Sequence, residues 1–203
     1  MRFAYADPPY LGRAEYYRAH HPDAMVWNDP RSHRRLIERL QDEYADGWAM
    51  SLSEKSLRTI LPMCPTEART AAWISERSRY AGRAIAVRRH FEPVIFYGGR
   101  EGPNRTADFI VTSQEPMPAG SNRYVMQKGA IRAGQTFVGR KPAAFCRWVL
   151  DLLGFDPAAD EIDDLFPGTG AMTDVVAALH SRGHEALPIF RSLKSSHVTG
   201  EDR

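Results

Sequence analysis

Arg2-Phe3-Ala4-Tyr5-Ala6-Asp7-Pro8-Pro9-Tyr10 decides how this chain is read: a short apolar strand runs straight into an acid, two prolines and an aromatic. The prolines fix φ and carry no N–H. Carbonyl oxygens are thereby held in fixed directions, with a carboxylate on one side and a ring on the other. A planar base bearing an amino group suits such a turn, because two acceptors take its N–H bonds while the ring stacks on Tyr10. The plainer alternative is a surface Pro-Pro turn capped by Asp7.

A second stretch lies near the other end. Ile162-Asp163-Asp164-Leu165-Phe166-Pro167-Gly168-Thr169-Gly170 leads into the apolar-periodic run Ala171 to Leu179. That pattern reads as strand, glycine-rich turn and amphipathic helix ending before Gly183. Two glycines one residue apart let a ligand approach the backbone, with a helix N-terminus pointing at it. On its own a Gly-x-Gly turn also fits an α/β connection that binds nothing.

Together the two stretches resemble the DNA amino-methyltransferases, which move a methyl group from S-adenosylmethionine to an exocyclic base nitrogen. Asp7-Pro8-Pro9-Tyr10 looks like that family's catalytic motif, and Asp164-x-Phe166-x-Gly168-Thr169-Gly170 is similar to its cofactor motif. Lys141-Pro142, ahead of an apolar helix, resembles a third element that precedes the cofactor motif. Catalytic motif first and cofactor motif last is the permuted order of the beta class, here in a small, phage-like form spanning nearly the whole chain.

The resemblance implies an α/β fold with a Rossmann-like methyltransferase sheet, mostly parallel with one antiparallel strand, about six strands and helices on both faces. The strand carrying the catalytic motif should lie beside the one carrying Phe166. The usual seventh strand, which precedes the catalytic motif in this order, has no counterpart ahead of Asp7. Asp7 and the Pro8 carbonyl are implied to accept from the amine, with Pro9 holding the turn and Tyr10 stacking on the base. Phe166, Pro167, Gly168, Thr169 and Gly170 would cradle the methionine and sulfonium of the cofactor. Asp164 would accept from its ammonium, and Lys141 would sit near its carboxylate or adenosine. Each assignment has a rival: Phe166 as a core ring, Asp164 as a turn cap, Lys141 as a solvated helix start.

The chain departs from the family at three places. Thr169 replaces the commoner Ser; the strand Ala186 to Phe190 ends in Arg191-Ser192, where the family carries an acid for the ribose hydroxyls; and the segment 98–139 is short for a recognition domain. A DNA-binding module that keeps the fold without turnover is therefore the second reading, from a different functional class.

Composition fits one unit. With 203 residues, 43% of them hydrophobic, one core of ordinary size is expected. Residues 1–192 read as one domain with a recognition insert within about 98–139, and 193–203 as a flexible tail. No run reaches the length of a membrane span, and the N-terminus does not read as a signal sequence. Cys64 and Cys146 lack metal-ligand spacing and read as buried free thiols, which points to a reducing, cytoplasmic setting; the phage-like form of the resemblance would put that setting in a host cell. His20-His21 has no partner at metal spacing, so no metal is expected.

Net charge is only +2, but the charges are segregated. Pro116 to Leu150 holds six basic residues and no acid, Arg77 to Phe91 five arginines and no acid, and Asp151 to Asp164 six acids and no base. Such sorting suggests a basic surface for DNA, with Arg123, Lys128 and Arg132 as candidate phosphate contacts, against the alternative of solvated faces sorted by sign. The short recognition segment leaves room for a homodimer or a partner protein.

Periodicity predicts strands at Arg2–Ala6, Trp48–Leu52, Thr70–Ile74, Pro93–Tyr97, Ile162–Phe166 and Ala186–Phe190. Helices are expected from Pro30 to Tyr44 with Leu36, Ile37 and Leu40 inward, around Leu57 to Leu61 after Ser53, and from Pro142 to Gly154. Trp48, Trp73 and Trp148 read as core anchors. Glu92-Pro93 reads as a strand start, where the resembling family often carries an acid. Leu11 to Trp27 reads as a loop able to close over a target base.

Overall fold

The computed structural model describes residues 1–18, 22–75, 90–102, 106–112 and 140–181. Its strands are β1 (Arg2–Ala6), β2 (Gly47–Ser51), β3 (Arg69–Ser75), β4 (Phe91–Gly98), β5 (Phe109–Thr112) and β6 (Glu161–Asp164). They form one sheet in the order β5-β3-β4-β2-β1-β6. β1 pairs in parallel with β2 and β6, and β3 with β5, whereas β4 runs antiparallel to both β2 and β3.

Strand alternation sends side chains to two separate cores. Phe3, Tyr5, Ala49, Ala71, Trp73, Val94 and Phe96 face helices α3 (Ala143–Leu152) and α4 (Ala171–Ser181), where Phe145, Trp148, Val149, Met172 and Val175 meet them. Ala4, Ala6, Trp48, Met50 and Ile95 face α1 (Pro30–Glu43) and α2 (Leu57–Ile60), where Leu36, Ile37, Leu40 and Ile60 are buried. Helices thus cover both faces, as a mostly parallel sheet requires. Trp48, Trp73 and Trp148 are all buried, at 3% exposure or less.

Local chemistry sets the helix ends. Asp29 accepts the Arg31 N–H at 2.9 Å ahead of Pro30, the N-cap arrangement expected from the sequence. Gly154, at φ +62°, closes α3 while the Phe155 N–H returns to the Leu150 carbonyl at 3.0 Å. α2 ends at Ile60, ahead of Pro62, and the chain then tightens into a 3₁₀ turn, Leu61–Met63, that holds Pro62.

The strand set differs from the sequence expectation in two respects. The last described strand ends at Asp164, two residues short of Phe166, because the Asp164 side chain accepts the Phe166 N–H at 3.3 Å and turns the backbone out of the ladder. β5 was not expected: it lies inside the stretch read as an insert and forms an edge of the sheet. The expected strand at 186–190 lies outside the described residues, as do the tail, the Arg191-Ser192 corner and His20-His21.

Candidate functional site

The site is built at the carboxyl ends of β1 and β6. Tyr5 pairs with Asp164 in the parallel register, and the Leu165 N–H donates to the Tyr5 carbonyl at 2.9 Å. Both strands therefore end side by side, and Asp7-Pro8-Pro9-Tyr10 emerges next to Leu165–Gly170. The helix following β1 packs on one face of the sheet and the helix following β6 on the other. A crevice opens where connections part in this way, and open α/β sheets bind ligands there.

The first half of the site gathers around Lys141. Its ammonium lies 3.2 Å from Asp7 Oδ1, donates to the Tyr10 hydroxyl at 2.7 Å, and reaches Glu92 Oε2 at 3.3 Å. The Tyr10 hydroxyl in turn donates to Glu92 Oε2 at 3.2 Å. The Lys141 side chain is 8% exposed, and its charge sits over the rings of Tyr10, Trp73 and Phe145 at 5.3–5.5 Å. A buried ammonium needs such partners, since removing one side of a buried ion pair costs about 3–5 kcal/mol. Pro8 and Pro9 are buried, and among the described residues no donor meets either carbonyl. Behind them Tyr5, fully buried, shares a 2.9 Å hydrogen bond with Ser51; burial, with help from the Asp7 carboxylate, pushes its phenol well up and keeps it neutral.

The second half is the turn after β6. Asp164 accepts the Phe166 N–H, and the Thr173 hydroxyl reaches its other oxygen at 3.5 Å. Burial raises its pKa to about 6, with the Asp7 carboxylate adding to the rise. Among the described residues no cation pairs with it. Gly168 and Gly170 stand at φ +44° and +73°, and a Cβ on Gly168 would meet only the Phe166 carbonyl, at 3.7 Å. A half-buried carboxylate with no described cation against it fits a ligand that carries an ammonium group, and the open glycine turn beside it leaves room for that ligand's chain. Phe166 is half-buried, its ring edge-on to Trp27 at 5.0 Å and packed on the α1 side of the sheet.

Arg140 touches this second half. One Nη donates to the Thr169 carbonyl at 3.0 Å and the other to Asp174 Oδ2 at 3.0 Å.

The structure thus brings Asp7, Tyr10 and Lys141 into contact and sets Asp164 to Gly170 beside them. Lys141 is engaged with the Asp7 turn and Glu92. Arg123, Lys128 and Arg132, and most of the Arg77 to Phe91 block, lie outside the described residues. Arg140 is a site residue to which the sequence assigns no role, while Glu92, at a strand start where the resembled family often carries an acid, meets Lys141 and Tyr10. The signal for both was charge at an apolar strand or helix boundary, which does not reveal a partner far away in sequence. Cys146 is buried and Cys64 half-buried, both free, and burial pushes the Cys64 thiol up to about 11. Among the described residues no helix is long and apolar enough to cross a membrane.

No protein-family model and no curated protein matches the chain. Among solved structures, the crystal structure of the M1.HpyAVI–SAM complex is similar, with a TM-score of 0.54 and 10% identity, covering 88% of this chain and 77% of that chain. The likeness defines the class of fold: a Rossmann-like methyltransferase sheet.

Proposed function

We propose that the chain transfers a methyl group from S-adenosylmethionine to an exocyclic amine of a DNA base. Adenine N6 is favoured over cytosine N4, because Asp at the first position of the motif is commoner among adenine enzymes of the family it resembles. The observation that supports the reading is the Tyr5–Asp164 register, which sets the Asp7-Pro8-Pro9-Tyr10 turn beside an open glycine turn at the carboxyl ends of β1 and β6. The similar structure's cofactor, SAM, supports the choice of donor.

The lone pair of a base amine is delocalised into the ring and attacks poorly. Asp7 and the Pro8 carbonyl, each taking one N–H, favour the pyramidal nitrogen that forms as the new bond develops. Because both are fixed beforehand, they gain most at the transition state. Lys141 and Glu92 hold the Asp7 carboxylate and the Tyr10 ring in place. Bound S-adenosylmethionine would supply the methyl group from its sulfonium, the S–CH3 bond breaking as the N–CH3 bond forms and leaving a neutral thioether. Asp164 accepts from the donor's ammonium, and Gly168 and Gly170 let its chain lie against the backbone. Asp7, or a water beside it, takes the departing proton. The amine is paired in a duplex, so the base must rotate out and stack on Tyr10. Arg123, Lys128 and Arg132 are proposed to meet DNA phosphates.

The test is transfer of a labelled methyl group from S-adenosylmethionine to single- and double-stranded DNA. Incorporation is expected. DNA binding with no incorporation at saturating cofactor would favour the non-catalytic module.

A further inference from the structure

Resting on that reading, we infer that Arg140 and Lys141 form a two-armed brace. Arg140 grips the cofactor turn and Lys141 the amine-accepting turn, so one peptide unit sets the separation of methyl donor from acceptor.

The brace follows from local backbone chemistry. Pro142 disfavours the helical region for the residue before it, so Lys141 is steered to extended backbone. Successive side chains on extended backbone project to opposite sides. Two adjacent cations can then serve two different turns, and the contacts divide in that way. Arg140 donates to the Thr169 carbonyl, between the two glycines, and to Asp174 on α4. Lys141 meets Asp7, Tyr10 and Glu92. The brace is rooted immediately after Pro142 in α3, whose Phe145 and Val149 are fully buried. Its base is therefore the sheet core rather than a loop.

In-line methyl transfer depends strongly on placement, and an error of about 1 Å can cost about a hundredfold in rate. The two arms should fail differently. Losing Arg140 frees the Thr169 carbonyl and loosens the cofactor turn. Losing Lys141 leaves that turn intact and unfixes Asp7 and Tyr10. Both are positioning residues, acting through the groups they hold.

Arg140→Met and Lys141→Met are compared for S-adenosylmethionine affinity by calorimetry and for kcat in methyl transfer. R140M should weaken cofactor binding about tenfold, the loss of charge-assisted hydrogen bonds. K141M should keep cofactor affinity within about twofold and lower kcat about a hundredfold. Removing the partners from the far side tests the same division without emptying the brace. Asp174→Asn, at a side chain 66% exposed, should follow R140M in milder form, and Glu92→Gln should follow K141M. Equal cofactor weakening in R140M and K141M, or none in R140M and D174N, would overturn the brace while leaving the proposed activity standing. A wild-type protein that neither binds the cofactor nor transfers methyl overturns both.

Discussion

Asp7 and Lys141, 134 positions apart in the sequence, meet at 3.2 Å at the end of β1. The Asp-Pro-Pro-Tyr turn is therefore held from outside by a lysine that also grips Tyr10 and Glu92. That contact separates the residues that would serve the base from those that would serve the cofactor.

Cofactor affinity should depend on pH through Asp164. Its carboxyl, near 6 in the folded protein against an ordinary 3.8, must be ionised to accept an ammonium. Affinity for S-adenosylmethionine should be full above pH 6 and fall up to tenfold per unit below it. Asp164→Asn should bind weakly and without that slope, which calorimetry between pH 5 and 8 can read. The sign for the free protein is opposite. Because the folded pKa is raised, this group's contribution to stability is full below about 3.8 and is lost as pH rises through about 6. D164N should remove that decline in urea unfolding.

Gly168→Ala should weaken cofactor binding far more than it weakens the fold. The new Cβ meets only a carbonyl at 3.7 Å, so the cost in the free protein is the left-handed φ, about 1–2 kcal/mol. The methyl group would occupy the face the cofactor needs. Chemical denaturation beside calorimetry separates the two effects.

Phe145→Ala should destabilise the protein by about 3–5 kcal/mol. Phe145 is fully buried and its ring contacts Tyr5, Trp73 and Trp148. A fall of under 1 kcal/mol in urea unfolding would contradict the packing described.

Arg123→Glu, Lys128→Glu and Arg132→Glu together should weaken binding to all DNA sequences and flatten its dependence on salt, since each neutralised phosphate releases condensed counterions. Unchanged affinity and slope in binding titrations would mean that these charges form a solvated face.

The central strands were legible because each alternates or runs apolar and stops at a turn residue: Ala6 before Asp7-Pro8, Ser51 before the Ser53 turn, Gly98 at φ +66°. The β1–β6 neighbourhood followed from resemblance and agrees with the register. β5 escaped notice because Phe109-Ile110-Val111-Thr112 is only four residues long inside a stretch read as an insert, though its β-branched and aromatic content was a usable signal. The resemblance implies Lys141 near the cofactor's carboxylate or adenosine and an acid at the strand start Glu92. Their convergence on Tyr10 depends on how β4 and α3 pack against β1, which local periodicity does not encode. Arg140 was invisible for the same reason, its partner Asp174 lying on another helix.

Nucleoside mass spectrometry of DNA incubated with S-adenosylmethionine and either wild-type protein or Asp7→Ala decides whether the Asp7 turn carries out methyl transfer. N6-methyladenine is expected with the wild type and none with D7A, with calorimetry finding cofactor affinity equal in the two. Methylated base persisting with D7A above a few per cent, or absent with a cofactor-bound wild type, would contradict that role.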